Sequence, residues 1–256
     1  MVAFSRWVKL RPPITIMGIP MHPWTIDESV IEIGKRIDLG IFTQHVVINV
    51  AKLVHMQTDY SLRSAVLDCD IINIDGMGIV WGARLLGFNV PERVAGIDLF
   101  YHLLAFAEKV GYPVYFLGAK PDVIERAIIK TKECYPNLVI AGYHHGYFWD
   151  NEEDIVRRIQ YSRAKMLFVA TSSPQKEQFI SRWKTSLGVD FAMGVGGTFD
   201  IIAGKTKRAP LWMQKCGMEW LYRLIQEPGR MWRRYLTTNL KYIFMLIKEL
   251  RAKYLY

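Results

Sequence analysis

Asp75-Gly76-Met77-Gly78 stands directly after the apolar run Ile71-Ile72-Asn73-Ile74. A carboxylate at the end of a buried strand is half desolvated, and the glycines beside it let a ligand come close. Such a group could act as a general base, taking a proton from an attacking hydroxyl. The commoner role for an Asp-Gly in this position is to cap the next helix, and the motif alone leaves both readings open.

Three further polar clusters follow apolar runs. Gly118-Ala119-Lys120-Pro121-Asp122 joins a strand to a helix; free N–H groups with a lysine nearby would suit a phosphate or a uracil ring. It lacks the Walker spacing, so it is not a P-loop. Ser173-Pro174-Gln175-Lys176-Glu177 could bind a sugar or nucleotide, or could be a Pro-started helix with an acidic first turn. Gly194-Val195-Gly196-Gly197-Thr198-Phe199-Asp200 permits close backbone approach to a diphosphate. Phe199 stands where G-x-G-x-x-G needs its third glycine, which disfavours a nicotinamide dehydrogenase.

Two look-alikes are set aside. Asp68-Cys69-Asp70 has the D-x-D form of a metal-nucleotide site, but it precedes its strand and so lies at the wrong edge of a sheet; it reads as a solvated helix–strand turn. His144-His145 are adjacent on a short loop with no third ligand nearby. No metal site and no cofactor is expected.

The elements that must position these loops alternate. Strand-like runs at residues 46–50, 71–74, 113–117, 138–141, 166–170 and 189–193 are interleaved with helical stretches at residues 51–66, 99–110, 122–134, 152–162 and 175–186. Residues 14–19 form a short apolar run, and Thr25-Ile26-Asp27-Glu28 reads as a capping box opening a helix to about Ile37. Strand and helix joined by short connections predict an α/β fold with a mostly parallel sheet flanked by helices. Ligands then bind beyond the carboxyl ends of the strands, where the polar clusters fall.

Hydrophobic residues make up 51% of the 256, which excludes intrinsic disorder as the main state. Cys69, Cys134 and Cys216 are odd in number and far apart, so neither a disulfide framework nor a zinc site is predicted. Residues 1–20 show no signal peptide, and no stretch has the roughly 18 apolar residues of a membrane span. A cytoplasmic location is expected.

The net charge of +9 is concentrated. Residues 205–256 hold 12 Lys and Arg against 3 Asp and Glu, so the whole excess lies there and residues 1–204 are neutral. The partner of such a tail is anionic: phosphate, nucleic acid or an acidic membrane surface. The chain divides accordingly into a body, residues 1–204, and a basic appendage, residues 205–256. Within the appendage two helical stretches, 211–226 and 230–255, meet at Pro228. In the second, Trp232, Leu236, Leu240, Ile243, Ile247, Leu250 and Tyr254 form one apolar stripe. That stripe suits a membrane interface carrying anionic lipid; it could equally dock on the helix's own body or on a second subunit, so self-association stays open.

In chain order, several motifs together resemble the WecG/TagA/CpsF family of bacterial glycosyltransferases. They are Asn49 with Lys52-Leu53-Val54; Asp75-Gly76 with Val80-Trp81; Pro91 through Asp98; Phe116-Leu117-Gly118; Ser173-Pro174 with Glu177; and Gly194 through Asp200. The most specific stretch runs from Ala203-Gly204-Lys205 through Arg208-Ala209-Pro210, Gly217, Glu219 to Leu224, Glu227-Pro228 and Arg230 to Arg234. The resemblance covers residues 14–236. It implies a Rossmann-like catalytic domain and a C-terminal appendage that reaches the membrane and completes the active site. It implies an inverting transfer, without an essential metal, from a UDP-sugar to a polyprenyl-diphosphate-linked saccharide. N-acetylmannosamine, its uronic acid, glucuronic acid or a hexose would be the sugar, and the enzyme would be peripheral on the inner face of the cell membrane. Asp75 would be the base, with Arg223, Arg230 and Arg233 facing the diphosphate, since guanidiniums bind phosphate oxygens in pairs. Asn49, Arg93, Gly118, Gln175, Glu177, Gly196, Gly197 and Arg208 would bind donor or acceptor. The chain departs from the family twice: Val47 stands where a Thr is usual, and Gln175-Lys176 fill the middle of a Pro-x-Gln-Glu pattern. Two other readings are a non-catalytic nucleotide-binding scaffold at the membrane and a nucleic-acid binder; no nucleic-acid motif is present, so nucleic acid is not an expected partner.

Overall fold

The computed structural model describes residues 9–254, apart from the side chains of Lys215, Arg230 and Arg234. The sequence reading of the first eight residues therefore lies outside the described residues. A hairpin, β1 (Ile14–Ile16) and β2 (Ile19–Met21), is followed by α1 (Ile26–Asp38), β3 (Thr43–Ile48), α2 (Val50–His55), α3 (Tyr60–Leu67), β4 (Ile71–Ile74), α4 (Met77–Leu85) and α5 (Gly96–Val110). Then come β5 (Val114–Gly118), α6 (Pro121–Cys134), β6 (Ile140–His144), α7 (Glu152–Ser162), β7 (Met166–Ala170), α8 (Gln175–Trp183), β8 (Phe191–Gly194) and α9 (Thr198–Ile202). The tail forms α10 (Leu211–Lys215), α11 (Glu219–Gln226) and α12 (Pro228–Tyr254).

Six strands make one sheet in the order β4-β3-β8-β7-β5-β6. Every pairing within it is parallel. Strands β4, β5 and β7 are buried along their whole length, as a sheet covered on both faces demands. Side-chain alternation divides the core. Phe116, Phe168, Phe191 and Met193 point toward α1, α5 and α6, meeting Phe100 and Phe199. Leu117, Leu167, Val169 and Ala192 point toward α7 and α8. A third cluster joins β3 and β4 to α2, α3, α4, the hairpin and Tyr242 of α12.

The α/β reading holds, and the capping box at Thr25 and Glu28 forms in both directions. Several boundaries differ. The run 14–19 is a hairpin, not one strand, because Met17 (φ 51°) and Gly18 (φ 73°) turn the chain back. The stretch 51–66 is two helices, broken before Asp59, whose side chain caps α3. The strand expected at 138–141 is displaced to β6. The stretch 211–226 splits at Gly217 (φ 73°), where a Cβ would also come within 2.4 Å of Met77. That corner seats the tail on the first residue of α4, two residues beyond Asp75.

The tail is docked on the body. Tyr242 Oη donates to Gly78 O at 2.9 Å, and the Glu249 carboxylate accepts from the Met17 N–H at 3.0 Å. Lys253 reaches Leu86 O. The face of α12 that docks carries Thr238, Tyr242, Met245, Leu246 and Leu250. Of the stripe expected from the sequence, Trp232, Leu236, Leu240, Ile243, Ile247 and Tyr254 are exposed, together with Phe244 at 71%. Leu250 alone turns inward. The helix thus packs on its own body and still presents an apolar face. Among the described residues, no helix is long and apolar enough to cross a membrane.

Candidate active site

The loops after β3, β4, β7 and β8 all open on the carboxyl edge of the sheet. Asp75 follows β4, its N–H held by Ile48 O at 2.8 Å. It does not cap α4: that helix has Gly76 as its N-cap residue and no side-chain cap. The Asp75 carboxylate instead faces the Gly96 N–H at the start of α5, another helix without a side-chain cap of its own. Gly96 lies close to Val47, whose methyl would be 3.2 Å from a Cβ at that position. Burial pushes the Asp75 carboxyl above the usual carboxylate range; Arg93 pulls it down, Glu219 pushes it further up, and Arg223 and the Gly96 N–H pull it down. The net result is a raised, base-like carboxylate at a strand end.

Beside Asp75 lies a cluster that sequence reasoning gave only in part. Glu219, 8% exposed at the start of α11, meets Arg93 at 3.0 Å, Arg208 at 3.6 Å and Arg223 at 3.6 Å. Arg208 is also gripped by Asp98 through both terminal guanidinium nitrogens, at 2.5 and 2.7 Å. Its Nε is buried without a hydrogen-bond partner. The expected residues Arg93, Arg208 and Arg223 are thus brought together with Asp75 through one acid from the tail. Arg223 is 53% exposed on its side chain and free to turn toward a ligand. Arg233 is not part of this group: it is exposed, and its guanidinium lies 5.3 Å from the centre of the Trp232 ring. Arg230 lies on the first turn of α12, and its side chain is outside the described residues. Glu219 and Asp98 were missed as site residues; the signal was a lone acid in the first turn of each of their helices, α11 and α5.

A second polar cluster occupies the middle of the edge. Asn49 caps α2, its side-chain oxygen accepting from Lys52 N at 3.0 Å, and its Cβ would lie 3.7 Å from a Cβ on Gly76. Glu177, 2% exposed, accepts from Lys52 Nζ at 2.9 Å and Ser173 Oγ at 2.9 Å, and lies 3.1 Å from Lys176 Nζ. Burial pushes its carboxyl up, but the two ammoniums and these hydrogen bonds outweigh that and hold it at about 2. Its oxygens are spent inside the protein, so it organises lysines; it does not offer itself to a sugar. Gln175 is exposed and its side-chain oxygen accepts from the Ser172 hydroxyl.

The glycines sort into two kinds. A Cβ on Gly118 (φ 125°) would strike the Ala170 backbone at 2.4 Å, so strand pairing already requires that glycine. At Gly196 (φ 55°) and Gly197 nothing lies within 4 Å of such a carbon, which leaves an open cradle after β8.

Asp68 and Asp70 lie at the opposite edge, accepting from Ser181 Oγ at 3.4 Å and Gln44 N at 2.8 Å, in keeping with a helix–strand turn. His144 Nδ1 and His145 Nδ1 are engaged by their own loop. Among the described residues, no three His, Cys, Asp or Glu gather around one point.

Residues 14–255 match the family model described as "Glycosyl transferase WecG/TagA/CpsF family". A Bacillus subtilis (strain 168) protein named N-acetylglucosaminyldiphosphoundecaprenol N-acetyl-beta-D-mannosaminyltransferase is 38% identical over 179 residues, 70% of this chain and 69% of that one. A protein of the same name from Bacillus spizizenii (strain ATCC 23059 / NRRL B-14472 / W23) is 39% identical over 183 residues, 72% of this chain and 70% of the other.

Proposed function

The chain belongs to the WecG/TagA/CpsF family of glycosyltransferases, and from that premise we propose that it transfers one sugar, with inversion, from a UDP-sugar to a hydroxyl of a polyprenyl-diphosphate-linked saccharide. The observation that carries the reading is the meeting of Asp75, its carboxyl raised by burial, with Arg93, Arg208 and Arg223 gathered on Glu219.

The step is a single displacement. The acceptor hydroxyl gives its proton to Asp75 as its oxygen bonds to the anomeric carbon. The bond from that carbon to the β-phosphate oxygen breaks, and the electron pair leaves with UDP. Charge building on the diphosphate is met by guanidiniums, Arg223 foremost because its side chain is the most exposed of the three. Proton transfer of this kind is worth about 10²–10⁴ in rate. The open cradle at Gly196 and Gly197 gives the donor's backbone-facing side room to approach.

The two relatives are named for moving N-acetylmannosamine onto N-acetylglucosaminyl-diphosphoundecaprenol. That makes UDP-N-acetylmannosamine the first donor to try, ahead of its uronic acid, UDP-glucuronate and simple UDP-hexoses. The tail, residues 205–256, serves both as an active-site wall and as a seat on an anionic membrane at its cytoplasmic face. Its charge of +9 and the outward apolar stripe of α12 support that placement. The test is UDP release from a panel of these donors with a polyprenyl-diphosphate-linked N-acetylglucosamine acceptor. Release that requires both substrates is expected; donor binding without acceptor-dependent release from any of them would mark a non-catalytic scaffold.

A further inference from the structure

The cluster around Glu177 holds more positive charge than it needs. Lys52 and Lys176 share a single carboxylate oxygen, at 2.9 and 3.1 Å, and the other oxygen takes the Ser173 hydroxyl. Among the described residues, no second carboxylate pairs with either lysine. Two ammoniums against one carboxylate leave an excess of one positive charge. That excess sits where the Lys176 residue is 6% exposed and the Lys52 side chain 13%. An uncompensated charge so far from bulk water is costly, and an anion entering the site would offset that cost.

The position is as telling as the charge. Lys176 runs directly beneath Gly194, where a Cβ would meet its Cδ and Cε at 2.7 Å, so the missing side chain makes room for the lysine stem at the end of β8. Gly194 opens the Gly196-Gly197 cradle. Lys52 is tied through its N–H to Asn49, whose Cβ is 3.7 Å from where a Cβ on Gly76, next to Asp75, would stand. The lysine pair is therefore anchored at the carboxyl ends of β8 and β3, through Gly194 on one side and Asn49 on the other. Burial lowers the proton affinity of Lys176, and the Glu177 charge works against that.

We propose that Lys52 and Lys176, braced by Glu177, form an anion subsite for the sugar nucleotide, distinct from the guanidinium cluster around Glu219. The inference rests on the donor reading above. Its ligand is an anionic oxygen group, either the diphosphate of the donor or a carboxylate on the transferred sugar. Lys176 brings its charge at the position where the resembled pattern has a neutral glutamine.

The experiment titrates UDP, UDP-glucose and UDP-glucuronate into the full-length protein by calorimetry, for wild type, Lys176→Gln, Lys176→Arg and Lys52→Gln. At least a tenfold loss of affinity is expected in Lys176→Gln for one or more ligands, with recovery in Lys176→Arg. Equal losses for all three assign the diphosphate; a loss confined to UDP-glucuronate assigns the sugar carboxylate. Should Lys176→Gln fail to fold, Lys52→Gln carries the same comparison, since the Lys52 side chain is the more exposed of the two. Wild-type binding that neither neutral substitution changes by more than twofold overturns the subsite alone. Wild-type binding to none of the three overturns the donor reading and the subsite with it.

Discussion

Asp75→Asn separates catalysis from stability in opposite directions. The substitution keeps an oxygen facing the Gly96 N–H and removes the charge. If Asp75 is the base, kcat falls by about 10²–10⁴, the share of a general base, which is roughly 3–5 kcal/mol on the barrier. Stability moves the other way. The folded carboxyl lies above its ordinary value because burial disfavours the charge. Its favourable contribution is therefore complete below the unfolded value, about 4, and is lost as pH rises through the raised folded value. At neutral pH the charged Asp75 is a net cost, so the Asn variant should melt no lower than wild type. Any gain should shrink as the pH is brought down toward about 4. UDP affinity should hold or improve, because a negative neighbour of the diphosphate has gone. The assays are steady-state UDP release and thermal melting from pH 4 to 8. Turnover within a few-fold of wild type refutes the base assignment. A melting temperature several degrees lower at pH 7 refutes the stability reasoning and makes Asp75 an anchor for α5.

Glu219→Gln should lower the melting temperature by roughly 5–10 °C, since it strands Arg93 from a largely buried partner at a cost of about 2–3 kcal/mol. Arg223 adds little to that figure because it is half exposed. With Glu219 neutral, Arg93 and Arg223 face Asp75 unopposed, so the acid limb of the pH–rate profile should move to lower pH; an unmoved limb contradicts the proposed electrostatic coupling. Leu240→Glu with Ile243→Glu changes two residues that are each 49% exposed, so folding should be unaffected. Binding to anionic vesicles should drop at least tenfold, from about 1 kcal/mol lost per apolar contact; cosedimentation at wild-type levels would remove the stripe as the anchor.

The alternation of strands and helices was legible because fully buried strands such as Met166–Ala170 leave uninterrupted apolar runs, and helices such as Glu152–Ser162 begin on acidic turns. Asp75, Arg93, Arg208 and Arg223 were legible as a group only through the family pattern, because their meeting depends on a tail folding back over more than 100 residues. Glu219 escaped because an acid in a first helical turn already satisfies the dipole argument. Arg233 was expected at the diphosphate and lies against Trp232 instead, since helical spacing fixes a face but not what it meets. The stripe on α12 shows the same limit. Periodicity found an apolar face, while the docked face is built from Tyr242, Thr238 and Met245, residues too mixed to announce themselves.

The outward stripe of α12 bears on how the enzyme would find its substrate. A helix of 27 residues is about 40 Å long. Laid flat along a bilayer by that side, it would fix the tilt of the sheet and confine the protein to travel in two dimensions. Encounter with a lipid-borne acceptor would then be lateral, and rates should follow the acceptor's mole fraction in the lipid rather than its amount per litre. Adding empty vesicles at constant total acceptor should slow the reaction by surface dilution.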